Sequence, residues 1–175
     1  MTVLADTPTN LVVGAGDVHR NHANIGATVD SNVFRIDRTI FTPTLNGLKG
    51  ALLGTDYITH SEGVLMVTVP EVSAASMAAA WPGSTSTPTA GMTVIDEDDT
   101  RRIPVADYAD WELQIERLGG GQFQFEVDNA INTAAIEIAG LDTDLVKPRY
   151  ELHSRWDPAA LTASPHRIRI LDVAS

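Results

Sequence analysis

The 175-residue chain has no cysteine. That excludes a disulfide framework, a thiolate zinc site and a cysteine nucleophile, and it leaves the redox compartment open. Basic residues are scarce: 12 Lys and Arg stand against 23 Asp and Glu, a formal charge of −11. Tight binding to nucleic acid or to an anionic membrane needs cations to neutralise phosphate, so neither is expected as an adhesive partner, although proximity to DNA is not excluded. Long apolar runs are missing too, and with them any membrane-spanning helix. The first residues, Met1-Thr2-Val3-Leu4-Ala5-Asp6, carry neither a basic region nor an apolar core. The sequence therefore predicts no secretory signal and a chain made in the cytoplasm.

What is present is enough for a core. With 43% apolar residues the chain reads as one domain over 1–175, with 1–10 as an N-terminal arm, 42–56 as a long loop and 82–110 as a linker plus a small hairpin. It is organised around residues 57–81, where an apolar strand passes directly into the one convincing helix. Leu65, Val67 and Val69 recur on one face and Val64 and Met66 on the other, the pattern of a strand covered on both sides. Pro70 ends the pairing, Glu71, Val72 and Ser73 supply an acid and a cap, and Pro82-Gly83 stops the helix after Trp81. The stripe Ala74, Met77, Ala78 and Trp81 is expected to face the sheet.

Elsewhere, short alternating segments separated by turn residues predict an antiparallel β domain. Leu11-Val12-Val13 and Asp17-Val18-His19 read as one strand bulged at Gly14-Ala15-Gly16, followed by a turn over 20–24. Residues 32–41 place Phe34, Ile36 and Ile40 on one side. Trp111, Leu113 and Ile115 alternate with Glu112, Gln114 and Glu116, and after Gly119-Gly120-Gly121, Phe123, Phe125 and Val127 alternate with Gln122, Gln124 and Glu126. Burying those apolar side chains contributes roughly 10–18 kcal/mol before chain entropy is subtracted. Residues 149–156 are expected to bury Tyr150, Leu152 and Trp156, and residues 166–170 to bury Ile168 and Ile170. Arg149, Glu151, His153, Arg155, Arg167 and Arg169 stay outside. Acidic and basic outer faces on different strands suit a subunit that meets copies of itself.

The loop over 42–56 holds Leu45, Leu48, Lys49, Leu52 and Leu53 and is more apolar than a solvated loop needs to be. It is expected to dock on a neighbouring subunit, the alternative being its own domain. Residues 82–91, rich in Pro, Ser, Thr and Gly, read as a linker, and 92–95 with 102–105 as a hairpin around the charged turn over 96–101.

Signatures of catalysis are missing. Gly14-Ala15-Gly16 begins like a dinucleotide fingerprint, but His19 stands where the next glycine belongs and no βαβ unit follows, so a strand bulge explains it. His19 and His22 have no third ligand nearby, and the acidic turn over 96–99 lacks the spaced ligands, glycine and distal Glu of a calcium loop. Glu112, Glu116 and Glu126 could pair for acid–base work or simply be solvated. The expectation is no enzyme, with no catalytic, cofactor or metal residue.

Leu11-Val12-Val13-Gly14-Ala15-Gly16-Asp17-Val18, followed by Asn24-Ile25-Gly26-Ala27-Thr28, resembles the opening of the major tail tube proteins of long-tailed, siphovirus-type bacteriophages. The long loop, the lone helix from Ser73 to Trp81 and the closing run with Trp156-Asp157-Pro158 are similar to that family's layout. Nearly the whole chain is covered; the acidic hairpin over 91–105 has no match. The resemblance implies a mainly β fold, an antiparallel sandwich or barrel of the tail tube type with one short helix and a long inter-subunit loop. It also implies a structural virion protein of the phage tail, made in the host cytoplasm. Its copies form hexameric rings stacked into a hollow tube that delivers DNA. Its partners are the tape measure, tail tip and tail terminator proteins, with no cofactor and no membrane.

On that reading Glu112, Gln114, Glu116, Gln122, Gln124 and Glu126, among which there is no cation, face the lumen, where an acidic wall lets phosphate slide past. Leu45, Leu48, Lys49, Leu52 and Leu53 make contacts between subunits or rings. Two alternatives stand beside it. A monomeric β-sandwich binding module, for carbohydrate as one example, would expose aromatics, whereas Trp81, Trp111 and Trp156 are all assigned to the core. A capsid decoration or tail completion protein would share the composition and be distinguished by ring stacking.

Overall fold

The structure, a computed structural model, describes residues 11–13, 16–43, 54–70, 73–97, 102–116, 121–135 and 148–171. The arm over 1–10 and Leu45, Leu48, Lys49, Leu52 and Leu53 of the long loop lie outside the described residues.

The fold is mainly β and its sheets are antiparallel. One sheet has the order β1 (Leu11–Val13), β4 (Val29–Phe41), β5 (Tyr57–Thr68) and β10 (Arg149–His153). The other has β3 (Ala23–Ala27), β2 (Asp17–Arg20), β8 (Ala109–Glu116), β9 (Gln122–Asn132) and β11 (His166–Leu171). Strand β9 belongs to both. Its first half pairs with β8 on one side and β11 on the other, while Ile131 and Asn132 pair with His153 and Leu152 of β10. Between the halves lies Asn129 at φ 48, a left-handed conformation that Asn tolerates, its N–H accepted by the Asp110 carboxylate at 2.9 Å.

The inner faces of the two sheets meet in the core. Phe34 packs on Phe125 with ring centroids 5.3 Å apart, and Trp111 on Tyr150 at 5.2 Å. Val18, Leu65, Val67, Leu113, Val127 and Leu152 fill the layer around them. The alternation in β8 and β9 therefore divides as expected, with Ile115 and Phe123 partly buried at the margin. β5 is central, between β4 and β10, and Val64 on its outer face is as buried as Leu65 on its inner one. Two glycines mark close approaches. A Cβ on Gly16 would stand 2.2 Å from the Gln114 carbonyl oxygen, and one on Gly63 would stand 2.4 Å from Cβ of His166.

Helix α1 (Ala74–Ala80) follows β5, capped by Ser73, whose hydroxyl accepts the Ser76 N–H at 3.0 Å while Ser76 Oγ accepts the Ser73 N–H at 2.8 Å. Its buried face differs from the expected stripe. Ser76 and Ala80 are buried and Ala79 packs on the core, while Met77, Ala78 and Trp81 are only partly covered. The reason is polar as much as apolar: the Tyr150 hydroxyl donates to the Ser76 carbonyl at 2.8 Å, and the Asn132 amide donates to that of Ala80 at 2.6 Å. Among the described residues no helix is long and apolar enough to cross a membrane.

Four further expectations are corrected. Residues 84–89 are not a linker: β6 (Ser84–Thr89) pairs with β7 (Met92–Glu97) around Ala90-Gly91, displacing the hairpin expected over 92–105, because Thr-rich segments extend without an apolar face. The turn after β2 is two residues, not five. Asn21 and His22 both have positive φ (48° and 66°), the geometry that matches strand twist. Ile168 and Ile170 are exposed (46% and 59%) because β11 lies at a sheet edge, beyond the reach of the opposite sheet. Trp156 is exposed too (43%), its indole N–H donating to the Ser61 carbonyl at 3.3 Å.

Candidate functional site on the outer face of the β8, β9 and β11 strands

Period-2 alternation sends every second side chain of β8 and β9 to the outer face, and the register aligns them in rows. Glu112 stands opposite Glu126, Gln114 opposite Gln124 and Glu116 opposite Gln122. All the residues expected to line a lumen therefore share one surface. Its middle is a chain of amides: Gln114 Nε2 donates to Glu112 Oε1 at 2.6 Å, Gln122 Nε2 to Gln114 Oε1 at 2.7 Å, and Gln124 Nε2 to Gln122 Oε1 at 3.4 Å. β2 extends the surface by placing His19 beside Glu112 and Asp17 beside Gln114.

On the other flank β11 brings cations. Arg167 is in register with Glu126 and Arg169 with Gln124. Both guanidiniums turn to Glu126, Arg167 Nε at 3.1 Å and Arg169 Nε at 2.8 Å, and Arg167 also pairs with Asp128. Glu126 is thus not a solvated carboxylate, being only 9% exposed. The acidic strands β8 and β9 and the basic strand β11, expected only to be different strands, are neighbours within one sheet, and Arg167 and Arg169 pair with Glu126 inside the chain. With His22 and Asp110 these side chains enclose a shallow polar depression of about 390 Å³. Sequence alternation exposed Arg167 and Arg169 but carried no signal that β11 pairs with β9, because the two are separated by β10.

Glu112 and Glu126 face each other as a general acid and base would, yet both oxygens of Glu126 are occupied by guanidiniums. His22 lines the depression and His19 stands in register with Glu112, and among the described residues no group of His, Asp and Glu is placed to hold a metal. The arrangement can present an anionic and amide surface, edged by paired arginines, to a neighbouring molecule.

The opposite outer face, on β4, β5 and β10, is built differently. Arg35 pairs with Asp37 at 3.0 Å and Glu151 at 3.7 Å, and His153 stands between Glu62 (3.1 Å) and Glu151 (3.4 Å). Arg155 also engages Glu62. Burial alone would raise the Glu62 pKa, but the hydrogen bonds and charges of His153 and Arg155 outweigh it and hold the carboxyl below its ordinary value. Burial, then the charge of Arg38, pushes His166 below its usual value where it packs on Gly63, and burial pushes Tyr150 up to about 12 against the charge of Arg20.

No family model matches the chain, and a search of curated proteins returns no match.

The β4 and β5 strands run on past the core as an arm whose end exposes Ile40 (50%), Phe41 (56%), Tyr57 (62%) and Ile58 (60%). This arm leads into the segment that holds Leu45, Leu48, Lys49, Leu52 and Leu53. A second cleft lies between β3 and α1, lined by Arg20, Asn24, Ile25, Ser73, Ser76 and Ala79, with the Arg20 guanidinium 5.9 Å from the centre of the Trp111 ring. Nothing in the linear pattern indicated it, since it depends on where the helix packs.

Proposed function

We propose that this chain is a structural subunit of a phage tail, of the tail tube type, which assembles into stacked hexameric rings around a channel for DNA. The observation that carries the reading is the outer face of β8 and β9, where Glu112, Gln114, Glu116, Gln122, Gln124 and Glu126 lie in register and Glu126 is paired to Arg167 and Arg169 of the neighbouring strand. Such a surface repels phosphate weakly and offers it few donors, which is what a channel for a sliding polyanion requires. Open strand edges support the same reading. Among the described residues β1, β3 and β11 each have one strand neighbour, so head-to-tail pairing between copies can close the sheet into a wide barrel. The exposed apolar end of the β4–β5 arm supports a contact role for the adjoining loop with Leu45, Leu48, Lys49, Leu52 and Leu53. Tape measure, tail tip and tail terminator proteins are the partners this assembly would meet.

Negative-stain electron microscopy of the purified protein at high concentration, beside light scattering, tests it. Rings or hollow tubes are the expected result, with the β8–β9 face inside. A strict monomer at every salt concentration, even with tail tip protein added as an initiator, would overturn it, as would a tube with that face on its outer wall. Deleting residues 48–53 is expected to reduce tube yield. Exposed Phe41, Tyr57 and Trp156 favour one other reading, a monomeric binding module, which a glycan-binding assay on the same sample addresses. A capsid decoration or tail completion protein would form no stacked rings.

A further inference from the structure

Glu126 is the most buried carboxylate among the described residues, 9% exposed, and each of its oxygens is taken by a different guanidinium. Arg167 Nε reaches Oε2 at 3.1 Å and Arg169 Nε reaches Oε1 at 2.8 Å. Asp128 holds Arg167 a second time through Nη2. The two arginine side chains remain 41% and 51% exposed, at the rim of the polar depression. A planar guanidinium with free donors is a strong phosphate ligand, and two side by side on a flat sheet would be a foothold for a nucleic-acid backbone. Here their Nε donors are directed down onto one carboxylate, and Glu112 directly across the strand pair adds a second negative charge beneath any approaching phosphate.

We propose that Glu126 is the positioning residue that keeps this face from adhering to DNA: it clamps Arg167 and Arg169 onto the sheet by their Nε donors, so that a passing phosphate meets two guanidiniums already paired to a carboxylate rather than two free cations. The inference rests on the reading of this face as the lining of a DNA channel. It differs from a wall that is merely acidic, because the non-adhesive property comes from pairing rather than from a lack of cations.

The test is binding of a short labelled DNA duplex to the full-length chain at low salt, followed by fluorescence anisotropy. Wild type is expected to leave the signal unchanged. E126Q is expected to bind at least ~10-fold more tightly, with affinity falling on added salt at a slope of about −2, as for two phosphate contacts. The triple variant E126Q/R167Q/R169Q is expected to return to wild-type behaviour. E116Q removes the same charge from the same face without releasing a guanidinium and is expected to gain several-fold less. Equal gains in E126Q and E116Q would assign the effect to net charge and overturn the clamp, as would a folded E126Q that gains nothing. If circular dichroism shows E126Q unfolded, D128N carries the test, since it releases only the second contact of Arg167: a gain above E116Q supports the clamp, and no gain overturns it. The assay needs no assembly. A chain that never forms tubes but acquires binding in E126Q would retain the clamp and lose the channel, whereas tubes with an unresponsive E126Q would do the reverse.

Discussion

On the outer face of β4, β5 and β10, cations and anions alternate along and across the strands, so Arg35 lies against Asp37 of its own strand and Glu151 across the sheet, and His153 and Arg155 both lie against Glu62 of β5. On the outer face of β8, β9 and β11 the cations sit on one edge strand, and the interior of the surface is carboxylate and amide. Both faces draw on the same residue types. In the first, alternation produces a network neutral enough to roof an apolar side chain, and Val64 beneath it is fully buried. In the second, segregation leaves β8 with an outward negative field and confines neutralisation to Glu126 and Asp128 of β9. Placement across strands, more than composition, decides whether a charged sheet face becomes a lid or a repellent surface.

Val64→Ala is expected to cost about 2 kcal/mol in a denaturant titration, because it empties a closed site, while Gln114→Ala on the other face should cost less than about 1 kcal/mol. Equal losses would show that the first face is no lid. Glu62→Gln should cost about 1–2 kcal/mol, since it leaves His153 and Arg155 facing a neutral amide in a half-buried setting.

Glu62 has a folded pKa below its ordinary 4.5, so its contribution is complete above that value and is lost as pH falls through the folded one. Thermal melts of Glu62→Gln should therefore lose less stability than wild type on acidification below about pH 4.5. His166 acts earlier. Held neutral in the fold, it takes up a proton on unfolding below 6.5, so stability should decline from that pH downwards, and His166→Gln should flatten the decline. The smallest expected effect is that of Arg169→Gln, about 0.2–1 kcal/mol at low salt and nothing measurable at high salt, because that side chain is half exposed.

Much of the fold was legible in residue patterns. Alternation in Trp111 to Glu116 and Gln122 to Val127 gave two strands with the correct side inward, and the two-sided apolar run ending at Val69 gave the central strand and the helix after it. Alternation says which side of a strand is apolar; it does not say whether a second sheet covers that side. Ile168 and Ile170 were misjudged for that reason. The strand over residues 84–89 was missed, and with it the true partner of 92–97, because Ser84 to Thr89 carries no apolar periodicity and is marked as a strand only by its pairing. The helix face was misassigned because hydrogen bonds from Tyr150 and Asn132, distant in sequence, fix its rotation. For the site, the six acidic and amide residues of β8 and β9 were legible as one outer face, but Asp110, Asp128 and the clamp on Glu126 were not, since nothing local records that β11 returns to lie beside β9.

Strand β9 has a consequence for how this sequence can change length. Because one strand serves both sheets, with a left-handed Asn129 between its halves, a single insertion or deletion on the Gln122 side would turn Gln124 and Glu126 inward and Phe125 and Val127 to solvent, leaving the β10 half in place. The same event after Asn129 would unseat Asn132 from the helix and spare the Glu126 face. Gains and losses of residues during evolution should therefore be purged from β9 and accumulate in segments such as the hairpin over residues 84–97, which pairs only with itself.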